Sequence, residues 1–294
     1  MIFSGKFVML MSCSRCNVKC KHCYISYKED FSPDELKDVA SKLSKKYNIM
    51  INGAEPLVDL RYLESYPIIN QKQILTNGLA LINNYDKIIK QLKENGIDNI
   101  SVSYHFDMHE KFSSVNKKQL EGLFKKIISD GFKLRIMATI TSENFKKIEK
   151  YCDIAYKMGA KAIKFTNFVN QGNARNLDNK LILTNKQKIE FFIKIRKARN
   201  KYEKKDLLIE RCGTFGKDLT KSNDKHFKCG AGTDLVVITP DKSVYPCVFL
   251  TSKGNEIGQY KNGRIELFNN YINDGSECVA CKLCNNIKKT TMEE

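Results

Sequence analysis

The chain has 294 residues and a formal net charge of +17, with 42% apolar and 28% charged residues. This length suits one large domain, or a domain of about two hundred residues with a small one beside it. No apolar run approaches the roughly eighteen residues that cross a bilayer, and no leader-like segment precedes the first strand, so we expect a cytoplasmic protein. The positive charge is spread along helices, which permits an acidic partner without requiring nucleic acid.

Short strand-like runs alternate with longer helical ones up to about residue 202, a pattern typical of β-α units around a parallel sheet. Start and stop signals mark the helices, including Ser32 before Pro33 and the capping-box spacing of Thr184 and Gln187. Six units are too few for a closed eight-stranded barrel, so the sequence predicts an α/β fold with an open, partial (β/α)6 barrel of the TIM type. The six strands are Lys6–Ser12, Asn48–Asn52, Gln73–Thr76, Asn99–Tyr104, Lys133–Thr139 and Ala162–Phe165.

The rhythm changes after residue 202. A hairpin of Asp234–Thr239 and Ser243–Phe249 is predicted around the turn-forming residues Pro240, Asp241 and Lys242. A cysteine-rich tail follows it. We therefore predict a barrel domain over residues 1–202 and a small hairpin domain over residues 203–294, too poor in apolar residues to be stable without a metal.

Eleven cysteines in a chain expected in a reducing compartment indicate metal or redox chemistry more than disulfides. Nine of them fall into two groups, at residues 13–23 and 229–284. The first group contains Cys16, Cys20 and Cys23 in a C-x3-C-x2-C loop. Three thiolates can hold three irons of a 4Fe-4S cluster and leave the fourth iron open, whereas zinc favours four closed ligands.

A C-x3-C-x2-C loop directly after the first strand resembles the hallmark of the radical S-adenosylmethionine (SAM) superfamily. The resemblance implies that SAM chelates the open iron. It also implies that one electron, from a reductant such as flavodoxin or ferredoxin, cleaves SAM into methionine and a 5′-deoxyadenosyl radical. The protein would then bind and orient the reacting groups and exclude water, while the cofactor supplies the chemistry.

Further segments resemble the family's SAM-binding motifs. Gly53-Ala54-Glu55-Pro56 is similar to the family's Gly-Gly-Glu-Pro segment, and its alanine would be strained only if that position required a positive φ. The resemblance implies that Glu55 pairs with the SAM ammonium group. His22 occupies the family's aromatic position near adenine, with a polar loop residue as the alternative, and Ser103 is either a ribose contact or a polar strand end. The SAM contacts expected on this basis are His22, Tyr24, Gly53, Ala54, Glu55, Pro56, Asn77 and Ser103.

The tail resembles the auxiliary-cluster domain called twitch or SPASM. Five cysteines suffice for one four-thiolate cluster, and the alternative is a structural zinc. The predicted ligands are Cys229, Cys247, Cys278 and Cys281, with Cys284 spare or exchanging with Cys278. Cys212 and Cys284 are candidate hydrogen-donating thiols, as in peptide epimerases of the superfamily, while Cys152 is expected to be a core residue.

Three functions remain open on the sequence. The first is a maturase that crosslinks, epimerises or oxidises a ribosomally made peptide, for which the basic surface suits an acidic leader. The second is a dehydrogenase of a small molecule such as an amino sugar, with the auxiliary cluster accepting an electron. The third is a zinc-binding nucleic-acid module, which the first cysteine loop disfavours.

Overall fold

The protein is described from a computed structural model that covers residues 1–212, 229–268, 278 and 280. Its strands are β1 (Phe7–Met11), β2 (Asn48–Asn52), β3 (Gln73–Thr76), β4 (Asn99–Ser103), β5 (Lys133–Ile140), β6 (Ala162–Asn167), β7 (Leu208–Arg211), β8 (Leu235–Ile238), β9 (Ser243–Tyr245), β10 (Gly258–Lys261) and β11 (Arg264–Leu267). Its α-helices are α1 (Pro33–Ser44), α2 (Leu79–Asn83), α3 (Tyr85–Glu94), α4 (His109–Phe112), α5 (Lys117–Ser129), α6 (Ile148–Lys157) and α7 (Asn185–Tyr202). Across these ranges, no helix has both the length and the hydropathy of a membrane span.

The strands form two sheets. One is parallel throughout and runs in the order β3-β4-β5-β6-β7. The other runs in the order β11-β10-β9-β8-β1-β2, with β1 parallel to both β2 and β8. The six predicted strands and the mixed α/β class are confirmed. The parallel strand β7 was missed because it is short and carries two charged residues, Glu210 and Arg211.

A side chain joins the two sheets between β2 and β3. The Gln71 side-chain amide accepts the N–H of Ile51 at 2.6 Å and donates to the Ile51 carbonyl at 3.0 Å. The same amide donates to the Gln73 carbonyl at 2.7 Å. Gln71 therefore supplies the polar partners that a direct β2-β3 ladder would otherwise supply.

The predicted hairpin forms, but its second strand is shorter than expected. β9 ends at Tyr245, and Val248–Leu250 is a 3-10 turn, so the predicted extension to Phe249 is wrong. Pro246 explains the end of the strand because proline has no N–H to donate to a ladder. β8 also pairs with β1, so the hairpin extends the sheet that contains β1 and β2. The domain boundary at residue 203 stays a prediction.

The predicted helix boundaries follow local chemistry. The Ser32 hydroxyl accepts the N–H of Glu35 at 3.2 Å, and Thr184 forms a reciprocal capping box with Gln187. Helices pack on the sheets around one large apolar core, which includes the buried Cys152. The loops that follow β1, β2 and β3 contact one another at the carboxyl ends of these strands.

Candidate functional site

The first cysteine loop leaves the carboxyl end of β1. Cys16 is exposed, whereas Cys20 and Cys23 are partly buried. The Cys16 sulfur accepts two hydrogen bonds of 3.4 Å, from the Val18 N–H and from Nδ2 of Asn77. The N–H of Cys23 donates to the Cys20 carbonyl at 3.3 Å, which folds the loop back on itself.

The three thiols lie close enough to affect one another. Burial raises the pKa of Cys20 to about 12, and the thiols of Cys23 and Cys16 add to that rise. Three neighbouring thiolates therefore require positive charge beside them, which iron ions would supply. Among the residues described, no three His, Cys, Asp or Glu side chains converge on a point that would suit a single metal ion. A 4Fe-4S cluster presents a separate iron to each thiol, and three neighbouring thiols on one loop are a donor set that suits it.

His22 packs against two other aromatic rings. Its ring contacts those of His105 and Phe112 at centroid distances of 4.5 and 4.6 Å. Burial lowers the pKa of His22 to about 4, so the ring is neutral at physiological pH. Its Nδ1 atom is buried and lacks a hydrogen-bond partner within the described chain. A neutral imidazole with an open polar atom suits the predicted place beside adenine, which stays a prediction.

Tyr24 lies between the two cysteine groups. Its ring packs on Phe249 at a centroid distance of 4.6 Å. Burial raises the pKa of its hydroxyl, and the thiols that add to the rise are Cys23 of the first group, Cys247 of the second group and Cys212, which lies outside both. The side chain that follows the third cysteine of the loop therefore reaches the second group of thiols.

The loop after β2 is tightly packed at Gly53. A Cβ added there would lie 2.4 Å from Oγ of the buried Ser12, so only glycine fits without a shift. The φ angle of Ala54 is not positive. Its N–H donates to the Cys13 carbonyl at 2.9 Å. Alanine at the second position of this motif is therefore accommodated without backbone strain.

Glu55 is fully buried and joins two loops. Its Oε1 accepts the N–H of Leu57 at 3.2 Å and its Oε2 accepts the N–H of Asn77 at 2.7 Å. Burial raises the pKa of the carboxyl to about 7, against the lowering effect of these donors. Each carboxylate oxygen can accept a further hydrogen bond, and pairing with the SAM ammonium group stays a prediction.

Asn77 and Ser103 lie at the ends of neighbouring strands. Nδ2 of Asn77 donates to the Cys16 sulfur and to Oδ1 of Asn17. Oδ1 of Asn77 accepts the N–H of Leu79. Ser103 is partly exposed at the end of β4, in register with Met137 of β5. The structure brings Asn77 to the cysteine loop, while a ribose contact by Ser103 stays a prediction.

The second group of thiols surrounds Cys247. Burial raises the pKa of this thiol, and three neighbouring thiols add to the rise: those of Cys212, Cys278 and Cys229. Cys212 and Cys247 also pack on a common apolar cluster that contains the buried Cys278. Cys281 and Cys284 lie outside the described residues. Cys212, predicted as a hydrogen donor, is thus placed beside predicted metal ligands.

The sequence interpretation missed the loop after β6, which packs on the cysteine loop. The main-chain N–H of Ala174 and the side chain of Asn173 both donate to carbonyl groups of that loop. A signal was present, because the polar run 170–176 contains a glycine and follows a predicted strand at its carboxyl end.

Comparisons with known proteins agree with this geometry. No family model matches the chain. The antilisterial bacteriocin subtilosin biosynthesis protein AlbA of Bacillus subtilis (strain 168) is 24% identical over 251 residues, which are 79% of this chain and 52% of AlbA. The structure of Streptococcus suis SuiB bound to S-adenosylmethionine aligns with a TM-score of 0.64 at 16% identity, covering 87% of this chain and 63% of SuiB. Native anSMEcpe with bound AdoMet aligns with a TM-score of 0.63 at 17% identity, covering 86% of this chain and 77% of that one.

This chain has the fold of SuiB and anSMEcpe. The predicted resemblance to the superfamily is thereby confirmed, while the SPASM or twitch character of the tail stays a prediction. The chain spans about half the length of AlbA and less than two thirds of SuiB. Hydrogen bonds bring Asn77 to the Cys16 sulfur and to Glu55 of the Gly53 loop, so the loops after β1, β2 and β3 meet.

Proposed function

We propose that this protein is a radical SAM enzyme that binds a 4Fe-4S cluster through Cys16, Cys20 and Cys23 and binds SAM at the open iron. The observation that carries the proposal is the convergence of this C-x3-C-x2-C loop with the Gly53 and Asn77 loops on a radical SAM fold. With SAM and cluster bound, one-electron reduction would cleave SAM to a 5′-deoxyadenosyl radical that abstracts hydrogen from a substrate.

The chain's own residues would bind and orient these groups. Gly53 permits close approach of its loop to the backbone around Cys13, and Glu55 ties that loop to Asn77. Asn77 donates a hydrogen bond to the Cys16 sulfur, which stabilises negative charge on that thiolate. The neutral ring of His22, held against Phe112, would present an apolar face to adenine.

We further propose one auxiliary 4Fe-4S cluster on Cys229, Cys247, Cys278 and Cys281. The thiols of Cys212, Cys278 and Cys229 all add to the raised pKa of Cys247, and Cys278 belongs to the apolar cluster on which Cys247 packs, which supports a cluster at this point. Four thiolates complete the ligation of such a cluster, which then accepts electrons without binding SAM. Cys212 and Cys284 remain the candidate hydrogen-donating thiols. The N–H of Cys212, directly after β7, donates to the Phe165 carbonyl of β6 at 2.8 Å, which fixes the backbone there.

The substrate that we propose is a ribosomally made peptide with an acidic leader. SuiB has been crystallised bound to the precursor peptide SuiA, and AlbA takes part in the biosynthesis of a bacteriocin. Lys164 lies in register between Met137 and Glu210 in the parallel sheet and is partly exposed. Because Glu210 is already paired with Arg135, Lys164 adds an excess positive charge that suits an acidic side chain.

The test is anaerobic reconstitution with iron and sulfide, followed by SAM and dithionite. We expect about eight irons per chain in the wild type and about four in the triple Cys16/Cys20/Cys23→Ala variant. We also expect 5′-deoxyadenosine from the wild type alone. Cys152→Ala is the matched control because this thiol is buried on α6 and belongs to neither cysteine group.

Other results would contradict parts of the proposal. Zinc without iron, and no cleavage of SAM, would exclude radical SAM chemistry. About four irons that are all lost in the triple variant would exclude the auxiliary cluster. Hydrogen transfer from a small amino sugar to the 5′-deoxyadenosine formed, without transfer from acidic peptides, would replace the peptide substrate by a small molecule.

A further inference from the structure

We propose that the segment Gln171–Asn176, after β6, is a clasp that positions the cysteine loop, with Gly172 and Asn173 as its positioning residues. The inference rests on the proposed function, because the purpose of the clasp is to hold the loop in the shape that binds the cluster. The clasp and the cysteine loop follow β6 and β1, which lie in different sheets. Their contact therefore ties the two sheets together at the site.

Gly172 provides the closest approach. A Cβ added at this residue would lie 2.6 Å from the Ile25 carbonyl oxygen and 2.7 Å from the Cys23 carbonyl oxygen. Both atoms belong to the main chain, so neither can turn away as the end of a flexible side chain would. The φ of Gly172 is +57°, which also favours glycine. Two independent features therefore exclude a side chain where the clasp crosses the third cysteine.

Two hydrogen bonds then fix the loop from the clasp side. The N–H of Ala174 donates to the Cys23 carbonyl at 3.3 Å and shares this donor with the Gln171 carbonyl at 3.1 Å. Nδ2 of Asn173 donates to the Cys20 carbonyl at 3.3 Å. The carbonyl groups of two of the three predicted ligands are thus held by one segment. On the other side of the loop, the Phe112 carbonyl accepts the N–H of Lys21 at 2.9 Å.

This arrangement has a functional consequence. A cluster that is held by three thiolates depends on the backbone for the directions of those thiolates. The clasp fixes the backbone at Cys20 and Cys23 through hydrogen bonds, and Gly172 packs closely against the backbone of Tyr24. Loosening the clasp should therefore release iron from the three-cysteine site before it unfolds the barrel.

The experiment compares Gly172→Ala with Gly131→Ala. Gly131 has a similarly positive φ of +84°, but nothing lies within 4 Å of an added Cβ, so this control carries only the backbone penalty. Both are made in the full wild-type chain, where the EPR signal that changes on adding SAM identifies the three-cysteine site. We expect Gly172→Ala to lose iron to a chelator several-fold faster than Gly131→Ala and to show a weaker change in its EPR spectrum on adding SAM. The melting temperatures of the iron-free variants report the purely structural effect.

Asn173→Ala provides a second variant if Gly172→Ala fails to fold, with Asn176→Ala in the same exposed segment as its control. Faster iron loss in Asn173→Ala alone, at an unchanged melting temperature, supports the clasp. Iron retention and EPR spectra equal to the parent in the clasp variants would overturn it while leaving the proposed function intact. If the parent itself takes up no iron, the proposed function and the clasp fail together.

Discussion

Oε2 of Glu55 accepts the main-chain N–H of Asn77 at 2.7 Å, which joins the loop after β2 to the loop after β3. These two strands belong to different sheets. The buried carboxylate is therefore part of the scaffold of the site as well as the predicted partner of SAM. Both roles can be separated by experiment.

Glu55→Gln is expected to alter the pH dependence of stability. Burial raises the folded pKa of Glu55 to about 7, above its ordinary value of 4.5. Because the folded pKa is raised, the contribution of the protonated carboxyl is fully present below about pH 4.5 and is lost as the pH rises through about 7. Urea unfolding of the iron-free protein should therefore show a stability that falls less steeply with pH in the variant than in the wild type.

Comparing the stability of Glu55→Gln with that of the wild type at each pH separates the effect of this carboxyl from the effect of the histidines. Burial lowers the pKa of His22 to about 4, so its contribution has the opposite sign, rising with pH. That contribution is common to both proteins. Parallel curves of stability against pH between about 4.5 and about 7 would show that Glu55 is not buried as described.

Gly53→Ala and Ala54→Gly form a matched pair in one loop. The Cβ of Gly53→Ala would lie 2.4 Å from Oγ of Ser12, so the loop must move. We expect SAM affinity to fall by on the order of tenfold, or about 1.4 kcal/mol. Ala54→Gly should leave SAM affinity unchanged and cost about 1 kcal/mol or less in stability, because Ala54 has no positive φ to relieve.

Calorimetric titration of SAM into both reconstituted variants tests this pair. A gain of affinity in Ala54→Gly would mean that the alanine is strained. Unchanged affinity in Gly53→Ala would mean that this loop does not contact SAM.

Asn77→Ala is expected to lower the reduction potential of the cluster. The Asn77 amide donates to the Cys16 sulfur at 3.4 Å, and such hydrogen bonds favour the more negative, reduced state. Loss of roughly 1 kcal/mol corresponds to about 40 mV for one electron. A redox titration followed by EPR measures the shift.

Asn17→Ala is the control for this potential, because its Oδ1 contacts both the Asn77 amide and the Cys16 thiol as an acceptor, so its removal takes no hydrogen-bond donor away from the sulfur. We expect its potential to remain near that of the wild type. Equal potentials in all three proteins would contradict a hydrogen bond from Asn77 to the bound cluster.

Cys281→Ala and Cys212→Ala identify the fourth ligand of the auxiliary cluster. We expect Cys281→Ala to lose about four irons and Cys212→Ala to keep them, because four thiolates complete the cluster without Cys212. Iron analysis of both variants decides the matter. Loss of auxiliary iron in Cys212→Ala would instead make this neighbour of Cys247 a ligand and remove it as the candidate hydrogen donor.

The sequence determined the local elements and the first metal motif. Strands β2 and β3 have the predicted ends, because apolar alternation and flanking polar residues act over a few residues. The capping box at Thr184 formed for the same reason. The three cysteines of the first loop could also be recognised in the sequence, because their spacing as ligands lies within one short segment.

Tertiary structure alone decided which distant residues meet. The pairing of β8 with β1, the bridge by Gln71 between β2 and β3, and the contact of Gly172 with Cys23 all join segments far apart in the chain. No local pattern specifies such contacts. They arise because the strands must bury their apolar faces together, and the loops at one end of the barrel are then brought into contact. Whether alanine at position 54 is strained was likewise settled by backbone geometry that the sequence leaves open.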